Sequence, residues 1–145
     1  MGYTINKKEY NEFIDYALKT GFDDEESAKW QLKNLVNLFN NLPNTIKLYR
    51  LVFLSKKSDL RKEELGSHYV LNKRTLIQNH YDKMLYNYSE FENSKPYMMT
   101  VETSKSKIDF YETIRNNLAY PHEQEITLKD KGKGIKLISL DSLVR

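Results

Sequence analysis

The run Thr45-Ile46-Lys47-Leu48-Tyr49-Arg50-Leu51-Val52-Phe53-Leu54 limits what this chain can fold into more than any other segment. Its β-branched, aromatic and aliphatic content over that length favours a buried strand. Counted by twos, Ile46, Leu48, Arg50, Val52 and Leu54 share one face. A guanidinium in an apolar row is costly unless it meets a carboxylate or a phosphate. If the row is not the core face, Lys47 becomes the inward charge. Arg50 is the one suited to bidentate recognition of an anion, because its planar fork matches paired oxygens.

Helical patterns precede that strand. Asn6 followed by Glu9 resembles a capping box, and Tyr10, Phe13, Ile14, Ala17 and Leu18 recur at helical spacing until Gly21. Asp23 or Asp24 can cap a second helix with an apolar stripe of Ala28, Leu32, Leu35, Val36 and Phe39, Trp30 at its margin, and Pro43 as its stop. After Leu54 the pattern changes to short elements. A charged stretch from Lys56 to Glu64 reads as one helical turn ending in Leu65-Gly66. Ser67 to Leu71 reads as a short strand, and Asn72 as the cap of a helix carrying Leu76, Ile77, His80, Tyr81, Met84 and Leu85. Asn87 to Lys95 is loop-like, Pro96 opens a strand through Val101, and Ile108 to Leu118 is a helix with Tyr111 and Ile114 inward. A Glu123-Gln124-Glu125 strand and a final strand, Ile135 to Leu140, are joined by the turn-prone run from Lys129 to Gly134. Strands joined by hairpins and short helices, without regular βαβ spacing, predict an α+β domain with a mostly antiparallel sheet.

A length of 145 residues suits one domain, with residues 1–44 as an N-terminal helical part and 45–145 as the core. No segment is long and apolar enough to span a bilayer, and the N-terminus has no signal-peptide run, so a cytoplasmic protein is expected. With no cysteine, disulfides, thiolate metal sites and cysteine nucleophiles are excluded. His68, His80 and His122 have no metal-ligand spacing. Neither a Gly-x-Gly-x-x-Gly nor a Gly-Lys-Ser/Thr loop occurs, which leaves Rossmann and P-loop readings without support. The net charge of +3 is too mild to argue for nucleic acid by itself, although Lys56-Lys57, Arg61-Lys62, Lys73-Arg74 and Lys129/Lys131/Lys133 form local clusters.

The segment Tyr120-Pro121-His122-Glu123-Gln124-Glu125-Ile126-Thr127-Leu128 sets two carboxylates one residue apart. In an extended strand Glu123 and Glu125 share a face, and Gln124, Ile126 and Leu128 share the other. Two adjacent negative charges call for a cation, a raised pKa on one member, or a positively charged reaction centre.

Taken in order, Leu48-Tyr49-Arg50, then Leu65-Gly66-Ser67-His68-Tyr69, then Glu123-Gln124-Glu125-Ile126-Thr127-Leu128 resemble the Arg/Ser-Thr-Ser/Glu-x-Glu layout of mono-ADP-ribosyltransferases, and a bacterial or phage member is expected. The resemblance spans roughly Thr45 to Leu140. Val70-Leu71-Asn72 stands where hydroxyl residues are usual, so the supporting hydroxyl would come from Ser67, Tyr69 or Thr75. The resemblance implies a split antiparallel sheet with the N-terminal helices packed on it, NAD as substrate and no metal. It also implies roles: Glu125 at the ribose, where a fixed carboxylate stabilises an oxocarbenium-like centre; Glu123 orienting or deprotonating the acceptor, with arginine acceptors favoured; Arg50 on the pyrophosphate or ribose hydroxyls; Tyr69 and His68, with Tyr49, on the NAD side; and Tyr120 and Gln124 towards the acceptor. The expected partner is a macromolecule, a protein in the first instance. Two alternatives stand beside this reading. One is NAD hydrolysis. The other is a noncatalytic module in which Arg50 and the glutamates form an internal ion-pair network and the lysine clusters meet an acidic partner or nucleic acid.

Overall fold

Both N-terminal helices begin where side chains satisfy the free amides of a first turn. In α1 (Lys7–Thr20) the Asn6 side chain accepts from the Glu9 N–H at 2.8 Å, and the Glu9 carboxylate accepts from the Asn6 N–H at 3.2 Å. Gly21, at φ +133, ends the helix. In α2 (Glu25–Asn40) Asp24 accepts from the Ser27 N–H at 2.7 Å. The segment before α1 is pinned to the end of α2. The Tyr3 N–H donates to Asn40 Oδ1 at 2.5 Å, the Asn40 amide donates to the Tyr3 carbonyl at 2.8 Å, and the Tyr3 ring stacks on Phe110 with centroids 5.0 Å apart.

The computed structural model describes residues 2–74, 76, 94–120 and 124–143. Within them, β1 (Thr45–Leu54), β2 (His68–Val70), β3 (Lys95–Ser104), β4 (Glu125–Thr127) and β5 (Lys136–Ser142) form one antiparallel sheet in the order β4-β2-β1-β3-β5. The backbone of the sheet is the full-length pairing of β1 with β3, from Thr45 opposite Ser104 to Leu54 opposite Lys95. Helix α3 (Phe110–Ala119) starts at Asp109, which accepts from the Glu112 N–H at 3.1 Å.

Helices α1, α2 and α3 lie on one face of the sheet. There Phe13, Ile14, Ala17, Leu32 and Phe39 pack with Leu48, Met99, Val101, Ile114, Leu118 and Ile126. Burying such a set supplies most of the folding drive, at about 25 cal/mol per Å² of apolar surface. The opposite face carries a smaller cluster, Val70, Leu76 and Met98, with Tyr49 and Leu51 against it. The domain is α+β, as the pattern of elements predicts.

Three details differ from the expectation. The described strands form one continuous sheet rather than a split one, because β3 is bonded along both edges, to β1 and to β5. The turn-prone run does not close a hairpin: β4 and β5 lie at opposite edges, so residues 128–135 cross the molecule. The strand expected from Glu123 begins at Glu125, because Gln124 has φ +48, outside the extended region. Ile77, His80, Tyr81, Met84 and Leu85 of the helix expected after Asn72, its Thr75, and most of the following loop lie outside the described residues, although Leu76 is buried.

Candidate functional site

A three-residue strand at the edge of a sheet exposes a row of unpaired backbone groups. In β4 these are met by side chains of α3. The Asn117 amide donates to the Glu125 carbonyl at 2.7 Å, while its oxygen accepts from the Glu125 N–H at 3.1 Å. One turn earlier, Thr113 Oγ1 accepts from the Thr127 N–H at 3.0 Å. Asn116 adds a bond to the Thr127 hydroxyl at 3.0 Å. On the inner edge, Tyr69 pairs with Ile126 and Val70 with Glu125. Both edges of β4 are therefore engaged, and Asn117 takes both the N–H and the C=O of Glu125.

The Glu125 side chain has a partner of its own. Its Oε1 lies 2.9 Å from His68 Nδ1, and the carboxylate is only 21% exposed. The strand pairing explains the contact: with Val70 opposite Glu125 and Thr127 opposite His68, the two side chains are diagonal neighbours on one face. Tyr49 is opposite Val70, so Tyr49, Val70 and Glu125 form a row across β1, β2 and β4. Two strand spacings, about 10 Å, separate the outer members. An aromatic ring, an apolar floor, an imidazole and a fixed carboxylate thus share one face.

Arg50 is not part of that group. Alternation puts Arg50 and Tyr69 on the helix-covered face and Tyr49, His68 and Glu125 on the other. The guanidinium lies 6.0 Å from the Tyr69 ring centroid, and Nη1 donates to the Leu65 carbonyl at 3.3 Å. The Tyr69 hydroxyl donates to the same carbonyl at 3.0 Å. Burial pushes the Tyr69 phenol up to about 12, against the opposing effect of the Arg50 charge, so at neutral pH it remains a donor. Among the described residues no carboxylate reaches ion-pairing distance of Arg50. The described contacts of the partly buried guanidinium are thus a carbonyl and a ring.

Of the remaining candidates, Gln124 directs its carbonyl to the Leu71 N–H at 3.2 Å, and Tyr120 is 63% exposed just after α3. Glu123 and His122 lie outside the described residues. Among the described residues no group of three or more His, Asp or Glu side chains is arranged to hold a metal ion.

Thr113 and Asn117 were not among the residues singled out by sequence, yet they position Glu125. The signal was present: both sit at helical spacing beside the inward Ile114 and Leu118, and a polar side chain on the core side of a helix needs a buried partner. Asn117→Ala would leave the Glu125 N–H and C=O unpaired. We expect a loss of about 2 kcal/mol in urea unfolding, whereas Asn116→Ala, which frees no backbone group, would cost less than half of that.

Comparison with protein-family models, with curated proteins and with solved structures gives no match to this chain.

Proposed function

We propose that the protein is an NAD-dependent mono-ADP-ribosyltransferase that releases nicotinamide and transfers ADP-ribose to a macromolecular acceptor, with arginine side chains favoured. The observation that carries this reading is the Glu125 carboxylate, bonded to His68 at 2.9 Å and anchored through its backbone by Asn117. A carboxylate that need not reorganise is what a developing positive charge on ribose requires. The three segments of the resemblance also fall on adjacent strands, β1, β2 and β4.

In the reaction the bond between ribose C1′ and the nicotinamide nitrogen breaks, and its electron pair leaves with nicotinamide. Glu125 stabilises the resulting oxocarbenium-like centre. The acceptor nitrogen then attacks C1′ and loses a proton, in the role that the resemblance gives to Glu123. His68 fixes the orientation of Glu125 and takes the place of the missing hydroxyl. Tyr49, on the same face, offers a ring to the substrate. Arg50 braces residue 65 through its carbonyl from the opposite face of the sheet.

The test is incubation with NAD labelled in the adenosine part, in the presence of cell extract, following nicotinamide release and label on macromolecules. Release together with label supports transfer. Release without label points to water as acceptor, and the absence of both overturns the proposal.

A further inference from the structure

The crossing segment between β4 and β5 gathers positive charge that the Glu125 site does not use. Lys107, Lys131 and Lys133, with Asp130 and Gly134, line a cavity of about 560 Å³. Three ammonium groups line it beside the single carboxylate of Asp130. Lys131 lies 3.9 Å from Glu64, but with Lys131 73% exposed that pair is weak. Among the described residues Lys107 and Lys133 have no ion-pair partner. Like charges held together without compensation repel one another, and an arriving anion relieves that repulsion.

The backbone that carries these lysines is fixed. Asp130 and Lys131 occupy the left-handed region at φ 52 and 55, a strained conformation for two successive non-glycine residues. It is held in place from two sides. The Gly66 N–H donates to the Lys131 carbonyl at 2.9 Å, and Lys129 Nζ donates to the Ser106 carbonyl at 3.2 Å. Lys131 and Lys133 therefore project from a preorganised turn, which reduces the ordering that a ligand must impose.

We propose that this cavity binds the phosphate group of a phosphorylated ligand. The lining contains no aromatic ring on which a base could stack, so the phosphate itself is what is recognised, without sequence or base preference. Two kinds of molecule present that chemistry: a small phosphorylated compound and a polynucleotide backbone.

The experiment titrates the full-length, isotope-labelled chain with inorganic pyrophosphate and, separately, with a single-stranded oligonucleotide, following backbone amide shifts at low and at physiological salt. Shifts should centre on Lys107 and on Asp130 to Gly134. The double variant Lys131→Gln/Lys133→Gln should weaken binding by about tenfold or more, while Lys8→Gln/Lys19→Gln, on α1, should not. If the oligonucleotide binds more tightly and with the steeper salt dependence, the source is a polynucleotide; if pyrophosphate binds at least as well, it is a small phosphorylated ligand. No shift at these residues, shifts spread evenly over exposed lysines, or unchanged binding by the double variant would overturn the proposal. These residues are separate from Glu125 and His68, so either site can fail its test without affecting the other.

Discussion

Replacing Glu125 with glutamine will lower nicotinamide release from NAD by on the order of a hundredfold to a thousandfold, the range found when a preorganised electrostatic group is removed from a transition state. The substitution is nearly isosteric. The amide oxygen can still accept from His68, and the backbone clamp by Asn117 involves only the N–H and C=O of residue 125, so the strand stays where it is. In the proposed reaction, what is lost is the charge opposite the ribose centre. The effect should fall on kcat more than on KM, because the charge interacts more strongly with the transition state than with the ground state. Circular dichroism should show unchanged folding. A Glu125→Gln protein as active as wild type would mean that the carboxylate is architecture.

Gly132→Ala will cost about 3 kcal/mol of folding stability. A Cβ on Gly132 would lie 2.2 Å from the Gly66 carbonyl oxygen, which is backbone and cannot swing aside. The residue also sits at φ +72, a conformation costly for any side chain. Separating the two segments would break the Gly66 to Lys131 hydrogen bond and disturb Leu65, whose carbonyl receives both Arg50 and Tyr69. Gly134 is the control. Its φ of +78 is similar, but the nearest atom to an added Cβ is Lys107 Nζ at 3.9 Å, so Gly134→Ala should cost only about 1 kcal/mol. For a domain of this size the two variants should differ in Tm by roughly 4–8 °C. Equal losses would show that close packing against Gly66 adds nothing.

The parts of the fold legible in the sequence are those governed by local signals. The capping box at Asn6 and Glu9, the cap at Asp24 and the apolar rows of α1, α2 and β1 all depend on near neighbours. The order of strands was not legible, because β4 and β5 are consecutive in the chain yet lie at opposite edges, a fact set by pairing between distant segments. The same limit governs the candidate site. Glu125 and His68 could each be named from the motif order, but their 2.9 Å contact depends on the register of β2 with β4. The apolar row that holds Arg50 was legible from its alternation and faces the helices, whereas the contacts of the guanidinium with the residue 65 carbonyl and the Tyr69 ring depend on distant segments. For Asn117 the helical spacing marks an inward polar side chain, but not which strand edge it caps.

In the proposed transferase, NAD binds on the sheet face shared by Tyr49, His68 and Glu125. The most direct measurement is the footprint of NAD on the backbone amides of the labelled protein. Saturable shifts are expected at Tyr49, His68, Val70 and Glu125, with residues of α1 and α2 unmoved. No saturable shift at those positions, or shifts confined to the helix-covered face, would contradict it.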